Sequence, residues 1–119
     1  MRNFLIGRIK GVKYALRGAW ILLKTEASIQ VQFVIAIGIT VLGFVYKLST
    51  GEWLAQIFAI GLVMGAEGLN TAIEEIADFI HPEYHVKIGR IKDIAAGAVG
   101  ITALIAVIIA SIIYVPRFI

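Results

Sequence analysis

Apolar positions along this chain fall into four blocks of two kinds. From Phe4 to Leu23 they recur at three- and four-residue steps: Phe4, Leu5, Ile9, Val12, Leu16, Ala19, Trp20 and Leu23. Arg8, Lys10, Lys13 and Arg17 sit between them. This spacing predicts an amphipathic helix over residues 4–24, lying in a membrane interface rather than crossing it. The other three blocks are nearly continuous. Ile29–Tyr46 is uncharged, Trp53–Ala66 is apolar and runs on as a polar-striped helix to Ile80, and Ile94–Val115 holds 22 uncharged residues. Crossing a bilayer takes about 20 residues. Three transmembrane helices are therefore predicted, over 29–48, 53–80 and 94–115. Ser49-Thr50-Gly51 marks a turn over Lys47–Glu52, and Pro82 stops the second span after His81.

Composition agrees with this picture. The chain is 119 residues long and 60% hydrophobic, with a mean hydropathy of +0.91. It reads as one all-α, membrane-embedded domain over residues 1–119. With no cysteine, disulfides and thiolate chemistry are excluded. The net charge of +3 points to a membrane surface and a polyanionic substrate rather than to nucleic acid, because most of the chain is lipid-soluble. The N-terminal basic residues run on to Lys24 within a helical pattern, so no cleaved signal peptide is expected.

The positions of the basic residues orient the chain. Six precede the first span (Arg2, Arg8, Lys10, Lys13, Arg17, Lys24) and three lie between the second and third (Lys87, Arg90, Lys92). Lys47 and Arg117 are alone on the other side. The positive-inside rule puts the N-terminus in the cytoplasm and the C-terminus outside, in a bacterial inner membrane. Gly61 and Gly65 form a GxxxG pair, and Ala96, Gly100, Ala103, Ala106 and Ala110 form a second small-residue seam. Three spans and a surface helix make a thin protomer, so these seams imply a homo-oligomer.

The chemistry concentrates after Ala66. At about 100° per residue, Glu67, Asn70, Glu74 and Asp78 stay within roughly 80° of one another, and Glu75 falls off the stripe. Ionisable groups at membrane depth are costly and are usually kept for a task. Counting from Trp53 at the outer boundary, Glu67 lies about 21 Å in and Glu74 about 31 Å in. A lipid headgroup can reach the first; water, a cation and a nucleotide can reach the second. Glu26, just ahead of the first span, is at the level of Glu74. A hard cation such as Mg²⁺ takes one or two carboxylates plus phosphate oxygens, and Glu26 with Glu74 supplies that pair. Lys92 can meet phosphates as a point charge, Glu83 and Asp93 can orient a nucleotide or second cation, and His85 can donate a hydrogen bond. This set suits phosphoryl transfer, which needs positioning and charge neutralisation, with Glu67 as general base. Plainer roles compete at some positions. Glu75 reads as a solvated headgroup-level charge, Lys87 as a topology determinant, and Tyr14 as either an aromatic-belt residue or part of the site.

The run Glu67-Gly-Leu-Asn-Thr-Ala-Ile-Glu74, then Asp78, Glu83-Tyr-His85 and Gly89-Arg90-x-Lys92-Asp93, resembles the signature of the small prokaryotic diacylglycerol kinase and undecaprenol kinase family. Tyr14-Ala-x-x-Gly18, with Glu26 eight residues on, resembles that family's N-terminal motif. The resemblance covers nearly the whole chain. It implies a homotrimer with ATP-Mg²⁺ sites shared between neighbouring chains at the cytoplasmic interface. It further implies Glu67 as catalytic base, Glu26 and Glu74 as metal ligands within the ATP site, and Tyr14, Glu83, His85, Lys92 and Asp93 as nucleotide contacts, with Asn70 and Asp78 supporting. Two departures stand out. Ala27-Ser-Ile-Gln30-Val-Gln32 is uncharged where members often carry charge, which bears on lipid specificity. Arg8 is one residue away from the place of an ATP-contacting arginine.

The expected function is thus an ATP-dependent lipid kinase with diacylglycerol or undecaprenol as acceptor. The rival is a small oligomeric transporter or proton-conducting subunit using one membrane carboxylate. Such a protein needs its acid nearer the midplane and has no use for Lys92-Asp93 or Glu83-Tyr-His85.

Overall fold

A computed structural model describes residues 1–119 as four helices: α1 (Arg2–Thr25), α2 (Ala27–Val45), α3 (Thr50–Ile80) and α4 (Val86–Phe118). The last three are long and apolar enough to cross a membrane. At about 1.5 Å per residue, α3 and α4 each run to more than 45 Å, so both outreach a hydrocarbon layer about 30 Å thick.

Local chemistry sets each boundary. α1 gives way to α2 at Glu26, whose backbone is extended (φ −102°, ψ 112°). The Gln30 amide reaches back over this corner and donates to the carbonyls of Leu23 and Lys24 at 3.0 and 3.2 Å. It thereby satisfies two of the acceptors that a helix C-terminus leaves open. α2 stops at Val45, three residues before the end of the expected span. Lys47 is left-handed (φ 53°), and Leu48 N–H donates to Gly43 O at 3.1 Å while Lys47 N–H donates to Phe44 O at 3.3 Å. That is a Schellman turn with lysine where glycine is usual. α3 starts inside the segment expected to be turn. Ser49 and Glu52 form a reciprocal capping box, Glu52 N–H to Ser49 Oγ at 3.2 Å and Ser49 N–H to Glu52 Oε1 at 2.9 Å. α4 begins eight residues ahead of the expected third span, because the His85 ring accepts a hydrogen bond from Lys87 N–H and caps the helix.

Packing is sparse. α3 runs along α4, α2 lies against α3, and α1 meets α2 at the Glu26 corner. The molecule measures 51 × 47 × 23 Å and buries only 11 of its 119 residues. The densest region surrounds Leu48, Ile113 and Tyr114, with Tyr46 and Trp53 packed on it. Trp53 fits there because residue 43 is glycine; a Cβ at Gly43 would lie 2.5 Å from the indole. Exposed Phe, Leu, Ile and Val cover the rest of the three long helices, as expected of a membrane protein whose outer face meets lipid. The second predicted seam divides: Ala103, Ala106 and Ala110 face α2 and α3, whereas Ala96 and Gly100 are exposed.

Candidate active site

The polar stripe of α3 has one inward edge. Asn70 and Thr71 are buried, Glu67 and Glu74 are half-buried, and Glu75 and Asp78 are exposed. Asn70 lies one turn before Glu74 and donates from Nδ2 to Glu74 Oε1 at 3.3 Å. This contact fixes one carboxylate oxygen of Glu74. Asn70 Oδ1 is buried and accepts no hydrogen bond within the chain. A buried carbonyl without a donor or cation costs on the order of 1–3 kcal/mol. Glu26, Glu67 and Glu74 take part in no ion pair.

The α1–α2 corner docks beside this stripe. A Cβ at Gly68 would lie 2.9 Å from Leu22 Cδ1, so the last turn of α1 rests on α3 next to Glu67. The same turn leads to Glu26, which is half-buried. The glycine of Glu67-Gly-Leu-Asn70 therefore has a packing reason.

On α4, Lys92 and Asp93 face different ways. Lys92 Nζ bonds Asp78 Oδ1 of α3 at 2.6 Å, an ion pair with both side chains well exposed (37% and 59%). The sequence assigns Lys92 to phosphates; within the chain a stripe carboxylate holds it. Asp93 instead opens onto a groove of about 570 Å³ lined by Tyr84, Val86, Gly89, Arg90 and Ile94. Glu83 and His85 lie in the short α3–α4 loop. Tyr14 is 63% exposed on α1, and no hydrogen bond joins it to α3. One chain thus joins Asn70 to Glu74 and Asp78 to Lys92, and rests the last turn of α1, which leads to Glu26, on α3 beside Glu67. It leaves Tyr14 and Asp93 on other faces.

Residues 13–114 match the prokaryotic diacylglycerol kinase family. Undecaprenol kinase of Bacillus subtilis (strain 168) is 37% identical over 116 residues, covering 98% of this chain and 94% of that one. Diacylglycerol kinase of Escherichia coli (strain K12) is 36% identical over 103 residues, covering 84% and 82%. Diacylglycerol kinase of Haemophilus influenzae is 32% identical over 101 residues, covering 85% and 86%. This chain belongs to the prokaryotic diacylglycerol kinase family. It is a membrane lipid kinase, and the transporter alternative finds no support.

An apolar cleft lies on the same face of α3 as Glu67. A cleft of about 320 Å³ runs between α2, α3 and α4, with 13 of its 15 lining residues hydrophobic. Its α3 wall is Gln56, Ala59, Ile60, Val63 and Met64, all within roughly 80° of Glu67 at the helical period. Gln32, from the uncharged run, also lines it, with its Oε1 buried and unpaired. Composition reads such a wall as a helix seam, so periodicity alone does not reveal the cleft. The packing roles of Gln30, Gly68 and His81 leave no periodic signal either, because each acts at a backbone carbonyl or through close approach.

Proposed function

We propose that this chain transfers the γ-phosphoryl group of ATP to the hydroxyl of undecaprenol at the cytoplasmic face of a bacterial cell membrane. The observation that carries the reading is the continuity of one face of α3: an apolar cleft wall from Gln56 to Met64, then Glu67 one turn on, then Asn70 and Glu74. A lipid alcohol laid along this face has its tail in the cleft and its hydroxyl at Glu67. The near end-to-end match to an undecaprenol kinase supports undecaprenol as the acceptor. Diacylglycerol is the second reading, supported by the names of the other relatives. It presents the same hydroxyl chemistry, with its second chain left in the bilayer.

In the reaction the lipid hydroxyl oxygen bonds to the γ-phosphorus and the bond from that phosphorus to the β–γ bridging oxygen breaks. ADP departs, and the hydroxyl proton passes to the Glu67 carboxylate. The donor set fits Mg²⁺: Glu26 and Glu74 offer hard oxygens, and the unpaired Oδ1 of Asn70, which is hydrogen-bonded to Glu74, offers another. No three acidic or histidine side chains converge in the chain, so phosphate oxygens would complete the shell. When bound, the ion neutralises phosphate charge. Asn70 positions Glu74, Lys92 exchanges Asp78 for phosphate oxygens, and Tyr14, Glu83, His85 and Asp93 hold the nucleotide. α1 lies as an amphipathic helix in the cytoplasmic interface, in one domain over 1–119, with the C-terminus outside. Three copies assemble with shared sites. Two observations support this: Tyr14 and Asp93 lie on faces away from Glu67, and a Cβ at Gly61 or Gly65 would meet nothing within 4 Å in the chain.

The test is phosphorylation by purified protein in micelles, with Mg-ATP and undecaprenol, diacylglycerol or no lipid. The expected result is lipid-dependent ADP release, fastest with undecaprenol. Faster turnover of diacylglycerol selects the second reading, and no phosphorylated product from either lipid overturns both. Crosslinking in the same micelles should stop at three chains; a fully active monomer removes the shared-site arrangement.

A further inference from the structure

His81 ends α3: its own N–H donates to Ala77 O at 2.9 Å, and Pro82 forbids another turn. Its side chain does something more specific. His81 Nδ1 lies 2.7 Å from the carbonyl oxygen of Glu83. A carbonyl only accepts, so Nδ1 carries the hydrogen and donates. At the other end of the loop, His85 Nδ1 accepts from Lys87 N–H at 3.0 Å, so that nitrogen carries none. The neutral His85 ring then bears its hydrogen on Nε2, the edge left to donate outward. The two rings meet edge to face, with centroids 5.5 Å apart at 66°. His81 is half-buried, whereas Glu83 and His85 are exposed. One imidazole therefore fixes the backbone of Glu83 and the ring of His85 together.

We infer that His81 is a positioning residue for nucleotide binding, holding the five-residue loop so that Glu83 and His85 keep the geometry in which they contact ATP. The inference rests on the reading above that these two residues bind nucleotide. A loop between two long helices has many arrangements, and a loop ordered in advance spends less binding energy on its own ordering. His81 touches neither the lipid face of α3 nor Glu67 by hydrogen bond, so its effect falls on ATP and not on the chemical step.

The test is steady-state kinetics of four variants in micelles. His81→Ala should raise KM for Mg-ATP about fivefold, the loss expected of one neutral hydrogen bond, with kcat and the lipid KM unchanged. His81→Asn should restore the wild-type KM within about twofold, because its amide nitrogen falls near the place of Nδ1 and can donate to the same carbonyl. Glu83→Ala and His85→Ala, run in parallel, should each raise KM for Mg-ATP. Raised values there with an unchanged KM in His81→Ala overturn the positioning role alone. Equal increases in His81→Ala and His81→Asn also overturn it, because the hydrogen bond is then not the link. Unchanged values in both Glu83→Ala and His85→Ala remove the nucleotide reading of the loop, and this inference with it.

Discussion

At the end of the bundle formed by the α2–α3 turn, polar groups find partners within the chain. Arg117 donates to both oxygens of Glu52, at 2.7 and 2.9 Å, and to the Ile113 carbonyl at 2.6 Å. Tyr114 donates to Gln56 Oε1 at 2.6 Å, and Gln56 Nε2 donates to the Ile39 carbonyl at 3.2 Å. About 22 to 33 Å further along α3, Glu67 and Glu74 sit half-buried without a cation, and Asn70 keeps a buried oxygen unpaired. Both ends put charged or polar groups where they are costly to place. At the first, the chain itself compensates the cost, and the groups join three helices. At the second it does not; under the function proposed above, this contrast separates polar residues that hold a membrane fold from those kept for ligands.

The largest expected effect is at the uncompensated end. Glu67→Gln keeps size and hydrogen-bonding capacity but cannot take a proton. The expected result is a fall in kcat of about a hundredfold or more, with KM for Mg-ATP unchanged because the loss is confined to the transition state. Thermal unfolding in micelles should be unaffected, since no partner in the chain loses a bond. A tenfold rise in lipid KM with kcat preserved would make Glu67 a binding residue. Glu74→Gln comes next. It should reduce turnover by more than about tenfold, or roughly 1.4 kcal/mol of barrier, and shift the Mg²⁺ requirement upward. Retained turnover at ordinary Mg²⁺ would end its metal role.

The compensated end should respond in stability and not in chemistry. Gly43→Ala drives a methyl group into the Trp53 ring, the contact closing to 2.5 Å. The indole is rigid and packed beside Phe44 (centroids 4.8 Å apart), so overpacking should cost about 1–3 kcal/mol. A lowered midpoint in thermal unfolding, with kcat near wild type, is the expected result. A large loss of kcat at unchanged midpoint would mean that the two ends are coupled. The glycine at the site end is a useful contrast, because Gly68 faces the tip of a flexible leucine that can turn aside.

The two ends also differ in how far the sequence discloses them. Apolar runs mark the three long helices, and the 3.6-residue period places Glu67, Asn70 and Glu74 on one face, where Asn70 and Glu74 are hydrogen-bonded. Those are features of one helix, and one helix can be read locally. The Glu52–Arg117 and Gln56–Tyr114 pairs are 65 and 58 residues apart, and only folding reveals them. Ser49 and Glu52 do carry the capping signal, but a Ser-Thr-Gly sequence reads first as a turn. The early start of α4 hides for another reason: histidine is an uncommon cap, and its role shows only in the ring's bond to Lys87 N–H.

The smallest effect tests where the site end stops. Asp78 and Lys92 form the one ion pair at that end, and they resemble the distal pair in bonding but not in exposure. An exposed pair of this kind contributes about 0–1 kcal/mol. If Lys92 exchanges Asp78 for phosphate oxygens, the pair competes weakly with ATP. Asp78→Asn should then leave stability unchanged and shift KM for Mg-ATP by less than about threefold, downward, since a released lysine need not first give up a carboxylate. The same shift should shrink as salt is raised, because the competition is between exposed charges. Lys92→Met is the sharper companion, expected to raise KM for Mg-ATP whether or not Asp78 is present. If Asp78→Asn instead raises KM as much as Lys92→Met does, then Asp78 holds Lys92 in its working position. The ion pair then belongs to the site itself, and the division between paired and unpaired ends has to be redrawn at that residue.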